Sequence, residues 1–573
     1  MKFDEILVHI GEFGPYQKRV YFLLCLPALL CGAQVMSIVF TMATPMHRCK
    51  IPNYPNDTYN IQGDHHAVLV NLTIPTMDQE SENPYSECHI YSDDNATQIR
   101  RPDNPNDEWL NITWAAPERD LQPCSSWVYD QSEYLDTAVA EFNIVCEDKI
   151  YKSHGNMVGF AGALFGCISM GIIADVIGRK NGIMLSLLIQ FVTSLAVFLA
   201  PSYQFMVAFR GVAGIASYSL FAISASMGIE LVGPSKRTFT GVVVEFYWAV
   251  GVLLTLPIAY FIREWRYIQL TLCLLTVPLF SLWWLIPESP RWLLDKKRFA
   301  ETEKILEKIC HSNNTKLPAG AIDDDTADEG PQAKIWCMFT NRVLLLRTLI
   351  IFFNWFAVNL LYYGLSLNLE NLAGSTYLNY LYGGLAEILA YTLCLFLLDR
   401  TGRRKLHCLC MLIGGISCLA VILPMVLDTK AEHQWLTTIL AMVGKLCASG
   451  CYAIIYIMAA ELFPTVVRNM AVGCCSILET VGGMSAPYIA DMGMLIGGPF
   501  ASGLPMLVFG GVSIIAGCMS LILPETLNRT LPETLQDAID FTKKQPSARK
   551  GRILPSDILD QEVRIPMTLS SSS

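Results

Sequence analysis

The sequence predicts an all-α membrane protein, with twelve transmembrane helices in two pseudo-symmetric six-helix bundles. Three observations carry this. Apolar residues fill 52% of the 573 positions and charged residues only 16%, against roughly 25% charged in ordinary soluble domains. Apolar runs of about 20 residues recur, each long enough to cross the hydrocarbon core as a helix. Three motifs also occur twice at nearly equal offsets. Glu230-Leu231-Val232-Gly233-Pro234-Ser235-Lys236-Arg237 is echoed 231 positions later by Glu461-Leu462-Phe463-Pro464-Thr465-Val466-Val467-Arg468. Asp175 and Asp399 lie 224 apart in the pair Gly171–Lys180 and Leu398–Arg404, and Pro287-Glu288-Ser289 recurs as Pro524-Glu525-Thr526 after 237. A duplication within a membrane chain predicts two related bundles with a substrate site between them.

The expected spans run near 21–43, 155–174, 182–201, 205–229, 238–261 and 267–286, then 346–369, 377–398, 406–427, 436–460, 469–490 and 503–523. The domain order follows: an N-terminal segment 1–20, a first bundle 21–286 with an insert at 44–154, a linker 287–344, a second bundle 345–523 and a tail 524–573. Arg179, Lys180, Lys236, Arg237, Arg291, Lys296, Lys297, Arg298, Arg400, Arg403, Arg404, Lys405 and Arg468 all fall on one side of these spans. By the positive-inside rule that side is cytoplasmic, together with both termini. Phe3-Asp4-Glu5-Ile6-Leu7 lacks a signal-peptide layout, so the first span is expected to be retained. In the linker, Ile305, Leu306 and Ile309 are spaced as on one face of a surface helix, and Ala321–Gly330 is acidic. The tail after Lys543 is polar and ends in four serines.

The insert carries a net charge of −12, whereas the rest of the chain sums to +2. Its cysteines, Cys49, Cys88, Cys124 and Cys146, allow three pairings. It also holds glycosylation acceptors at Asn56, Asn71, Asn95 and Asn111. Together these fit an oxidising, extracytoplasmic compartment. The other fifteen cysteines lie in or near spans and show no metal-ligand spacing. Histidines are scattered and no nucleotide loop is present. The expectation is a chain that is not an enzyme, holds no metal or cofactor and binds no nucleic acid, with membrane lipid around it.

Ionisable residues deep in spans cost ~2.5–3.5 kcal/mol each on insertion scales and are functional candidates. Five stand out: Arg210, Glu245, Glu387, Lys445 and Glu479. Arg210 and Lys445 are 235 apart and look equivalent in the two halves, each expected to pair with a nearby carboxylate. For Glu387, pairing with Lys445 stands beside a role toward substrate. Trp355 and Tyr362 are seven apart, on one face of a helix. Tyr452 and Phe221 are candidates for the same cavity. An amine cation over such a ring gains ~0.5–2 kcal/mol.

Gly171–Lys180 resembles the loop between the second and third helices of the major facilitator superfamily. Within it the chain resembles the organic cation/anion/carnitine transporter family over nearly its whole length. The resemblance is carried by Gly11-Glu12-Phe13-Gly14, Glu141-Phe142-Asn143-Ile144-Val145-Cys146, Pro287-Glu288-Ser289-Pro290-Arg291-Trp292-Leu293, Leu361-Tyr362-Tyr363-Gly364, Ala460–Asn469 and Leu523-Pro524-Glu525-Thr526. It implies a plasma-membrane transporter of organic cations by alternating access. The alternatives are a carnitine- or choline-like zwitterion carrier, an organic anion exchanger, and a non-transporting receptor. The family's aromatic cavity positions match Trp355 and Tyr362, and an acidic one matches Glu387. A charged span-eleven position of the family falls on Thr480 here, with Glu479 one residue earlier. The resemblance also implies gating clusters, Asp175 and Arg179 beside Glu230 and Arg237, and Asp399 and Arg403 beside Glu461 and Arg468. These would latch the outward-open state.

Overall fold

The computed structural model describes residues 3–541, apart from 53, 55, 77–82, 93–119, 319–321, 323–335, 373, 427–433, 465, 497–502, 528, 530, 531 and 533. Asn95, Asn111, most of the acidic linker stretch and the tail after Lys543 lie outside the described residues.

Twelve helices form the first-to-last path through the two bundles. The first six are α1 (Pro15–Met36), α2 (Ile150–Ile177), α3 (Arg179–Phe198), α4 (Tyr203–Glu230), α5 (Arg237–Ile262) and α6 (Trp265–Thr276, continued as turns to Leu285). The second six are α7 (Arg342–Leu367), α8 (Thr376–Thr401), α9 (Arg403–Ala420), α10 (Gln434–Leu462), α11 (Arg468–Ala490) and α12 (Leu504–Ser520). Among the described residues, ten helical stretches are long and apolar enough to cross a membrane. The two outside that set are α11 and α12. The 17 residues of α12 reach about 25 Å at ~1.5 Å per residue. In α11, Glu479, Thr480 and several Gly and Ser residues dilute the apolar content.

Helix starts follow local chemistry. Pro15 opens α1, where its missing N–H costs nothing. The Ser202 and Asn341 side chains accept from the N–H groups of Phe205 and Val343 to cap α4 and α7. Within the first bundle, α2 packs on α4 and α1 on α5; within the second, α7 packs on α11 and α9 on α12. The bundles meet along α2 with α11 and α5 with α8. Close approach is bought with small residues: a Cβ at Gly162 or Gly214 would strike the facing α4 or α2 backbone.

The duplicated motifs converge at one end of each bundle. Gly178 turns the chain from α2 to α3 at φ +108°, and Gly402 turns it from α8 to α9 at φ +93°. A Cβ there would strike Glu288 or Glu525 respectively. Those two carboxylates accept the backbone N–H of Lys180 (3.1 Å) and Arg403 (2.8 Å). Nearby, Ser289 Oγ donates to Glu230 (2.6 Å) and Thr526 Oγ1 to Glu461 (2.5 Å). All three doublets therefore belong to one structural unit, built twice.

The short helix Phe3–Ile10 docks at the same face with Ile6, Leu7 and Ile10 buried. The linker helix Phe299–Asn313 buries Leu306 and Ile309 beside it. Asn313 clamps the two, donating to the Ile10 carbonyl (3.0 Å) and to Gln17 Oε1 (2.8 Å).

The insert departs from the all-α plan. It holds β1 (His47–Cys49), β2 (His89–Tyr91), β3 (Leu121–Pro123) and β4 (Trp127–Tyr129), with β1 antiparallel to β4 and β2 to β3. Its disulfides join Cys49 to Cys124 and Cys88 to Cys146. Asn56 and Asn71 are exposed. Arg48, fully buried, forks onto Asp57 (2.5 and 3.1 Å), which also accepts from His66 Nε2 at 2.9 Å. Burial pushes the Asp57 carboxyl up, but the Arg48 fork, the Ile51 N–H and His66 outweigh it and hold the group below the usual carboxylate range.

Candidate functional site

The candidate site lies where α4, α5, α7, α8, α10 and α11 face one another. Tyr362 is at its centre, 2% exposed. Its hydroxyl accepts from the indole N–H of Trp248 on α5 (2.8 Å), which joins the two bundles. Its ring lies 5.1 Å from that of Tyr363 and 5.2 Å from that of Tyr452, centroid to centroid. Phe221 meets Trp248 edge-on at 5.5 Å. One face of Tyr362 already holds a cation: the Lys445 ammonium sits 3.5 Å from the ring centroid.

Lys445 is paired with Glu387 at 2.7 Å, both almost completely buried. Lys445 also donates to Ser366 Oγ and to the Tyr362 carbonyl. The alternative role weighed for Glu387, a partner to Lys445, is therefore present. Its second oxygen, Oε2, has no hydrogen-bond partner among the described residues. The expected equivalence of Arg210 and Lys445 does not extend to pairing. Arg210 makes no ion pair among the described residues, because no carboxylate of a neighbouring helix reaches it.

Glu479 faces the same aromatic cluster. It accepts from Tyr452 and, at 3.0 and 3.2 Å, from Tyr456. Thr480 spends its hydroxyl on the Ser476 carbonyl of its own helix (2.8 Å). One helical residue is about 100° of rotation, and here that rotation presents Glu479 rather than Thr480 to the α10 tyrosines. Trp355 stands two turns from Tyr362, with Tyr456 edge-on at 4.3 Å. The two aromatics of α7 thus share the face toward α10, as their spacing predicts.

Sequence reading missed Tyr456, Tyr363, Tyr218, Trp248 and Phe160. Tyr218 donates to Tyr363 between the bundles at 2.9 Å, and Phe160 packs edge-on to Tyr363 at 4.7 Å. Tyr452 and Tyr456 are four apart on one face of α10. That spacing, beside Lys445, was the available signal.

The predicted gating residues form two clusters, each with three of its four expected members; Arg237 and Arg468 pair elsewhere. Arg179 pairs with Asp175 (2.8 Å) and lies 3.8 Å from Glu230. Arg403 pairs with Asp399 and Glu461, both at 3.1 Å. Arg237 turns away to Asp4 of the N-terminal helix (2.6 Å), and Arg468 donates to the Phe463 carbonyl (3.2 Å). The docked helix Phe3–Ile10 supplies the nearer carboxylate for Arg237. Each of these ion pairs stays within its own half of the chain. At the insert end, by contrast, polar contacts cross between the bundles. Lys152 of α2 pairs with Glu370, Ser153 donates to Asp491 (2.6 Å), and His154 bonds Tyr488 (2.6 Å).

Residues 131–537 match the sugar (and other) transporter family. The organic cation transporter protein of Drosophila melanogaster is 37% identical over 566 residues, covering 96% of this chain and 97% of the relative. Solute carrier family 22 member 1 of Oryctolagus cuniculus is 32% identical, covering 94% of this chain and 96% of that protein. The fold is similar to that of the xylose transporter XylE from E. coli in a partially occluded inward-open conformation. The TM-score is 0.58 at 15% identity, over 90% of this chain and all of that one. With full-length relatives above 30% identity and a family match across both bundles, the chain belongs to the sugar (and other) transporter family of the major facilitator superfamily, among its organic cation/anion/carnitine transporters.

Proposed function

We propose that this protein carries organic cations across the plasma membrane by alternating access, with both termini cytoplasmic and the disulfide-bonded, glycosylated insert outside. One observation supports this above the others: a cluster of aromatic rings at the bundle interface surrounds the buried carboxylates Glu479 and Glu387, with an ammonium already seated on Tyr362. Rings present negative faces to a cation, and carboxylates in a dry site attract it more strongly than in water. Relatives named as organic cation transporters point the same way. The zwitterion alternative needs a free cation for a substrate carboxylate. Lys445 is the cation at the cluster, and Glu387 holds it.

Switching would alternately open the two ends. The contacts of Lys152, Ser153 and His154 close the insert end in this conformation. The test is uptake of labelled tetraethylammonium, carnitine and p-aminohippurate by cells expressing the chain, with and without Na⁺. Tetraethylammonium uptake well above that of untransfected cells, with little p-aminohippurate uptake, is the expected result. The reverse ranking would overturn the reading.

A further inference from the structure

Among the described residues, Glu245 is the acid of the cluster that has no partner. It sits on α5, one turn before Trp248 and therefore on the same face. It is 6% exposed, yet it makes no hydrogen bond or ion pair among the described residues. It lies within electrostatic reach of Glu387, Glu479, Tyr391 and Tyr456. Its two fellow carboxylates are committed: Glu387 to Lys445, and Glu479 to two tyrosine hydroxyls. Burying an acid without a partner is costly. A cation placed beside it would offset that cost.

Two buried polar atoms of the same cluster also lack a hydrogen-bond partner among the described residues, Glu387 Oε2 and the indole Nε1 of Trp355, each on a residue 1% exposed. Trp248 stands one turn along the same helix as Glu245, Tyr391 and Tyr456 lie within electrostatic reach, and Tyr362 and Tyr452 join Trp248 and Tyr456 in one ring cluster. This arrangement offers an uncommitted carboxyl group and aromatic neighbours, with no internal cation paired to Glu245 among the described residues.

We propose that Glu245 is the carboxylate that receives the positively charged nitrogen of the substrate, and that it sets the preference for cations over neutral molecules of the same shape. Glu387 then serves to hold Lys445 against Tyr362. This rests on the function proposed above. It adds that charge recognition resides in the first bundle, on α5, while the aromatic wall comes mainly from the second. A substrate nitrogen between Glu245 and the α7 and α10 rings would touch both bundles at once, as a carried molecule must.

The test uses the full chain in cells. Competition against tetraethylammonium uptake is measured for choline and for its neutral carbon isostere, 3,3-dimethylbutan-1-ol. Glu245→Gln keeps the shape and removes the charge; Glu245→Asp keeps the charge one methylene further back. In Glu245→Gln the KM for tetraethylammonium is expected to rise roughly tenfold or more, and the preference for choline over the isostere to collapse. Glu245→Asp is expected to keep most of that preference, even at reduced surface level. A variant that only disturbed packing would weaken both competitors alike, and that outcome overturns the proposal, as does an unchanged KM and preference in Glu245→Gln. Both leave the transport reading intact. Wild-type protein that moves no cation overturns both.

Discussion

Tyr362 shows how much a residue's neighbours add to its type. Its ring suggests cation recognition, and by ring alone Tyr362→Phe would be mild. The structure adds that the hydroxyl accepts the Trp248 N–H. Losing it strands a buried donor at ~1–3 kcal/mol. Tyr362→Phe is therefore expected to lower thermal stability in detergent while leaving the KM for tetraethylammonium nearly unchanged, and Tyr362→Ala to raise that KM several-fold. Equal KM effects would show that the hydroxyl, not the ring, recognises substrate. Lys445 and Glu387 follow the logic of a buried pair. Lys445→Met alone strands Glu387, at ~3–5 kcal/mol, and should lower surface expression. Adding Glu387→Gln should recover most of it, because no buried charge then remains unpaired. A double variant as poor as Lys445→Met would refute the pairing account.

At the scale of elements, the insert stands apart from the helices by construction. Its chain has too little apolar content for a large core, so the two disulfides tie together segments 75 and 58 positions apart. Each closure is worth about 4 kcal/mol in the chain-entropy account. Cys88→Ser should impair maturation without changing substrate preference, as read by surface biotinylation and competition. The Arg48–Asp57–His66 network adds a pH signature. Asp57 is held below its ordinary range near 4. Its contribution is fully present above that range and is lost as pH falls through the lowered value. Amide exchange over 47–73 should accelerate as the purified protein is acidified below about pH 4. Asp57→Asn should already exchange faster at pH 7, with a flatter acid limb; an unaltered acid limb would exclude this group.

For the whole molecule, the decisive feature is where contacts cross between bundles. Lys152–Glu370 and its neighbours tie the insert end, while Arg179 and Arg403 tie each half only to itself. Lys152→Met should favour opening at the insert end. A cysteine placed at Phe221 should then react faster with an impermeant thiol reagent added outside; no change in rate would relocate the gate. Asp175 and Asp399 are 60% and 71% exposed, so those pairs contribute little in this conformation. The better-shielded Arg403–Glu461 contact is the stronger one. Arg403→Ala should therefore slow turnover more than Asp399→Asn, with KM for either close to wild type. Equal effects would show that shielding does not rank these pairs.

The sequence by itself determined the bilayer, the twelve-helix plan, the duplication and the candidate cation-binding chemistry. It could do so because these depend on composition, span length and spacing along one chain. It also placed Trp355 and Tyr362 on one helix face, since 3.6 residues per turn is a local rule. Only the tertiary structure decided that Glu387 belongs to Lys445, 58 positions away, that Arg237 turns to Asp4, and that Glu479 rather than Thr480 meets the tyrosines. Periodicity says which residues share a face. It does not say which faces meet, because helix rotation and partner are set by packing across the whole bundle. Glu245 belongs to this second kind: as a sequence feature it is one buried charge among five, and only its unpaired place among committed neighbours singles it out.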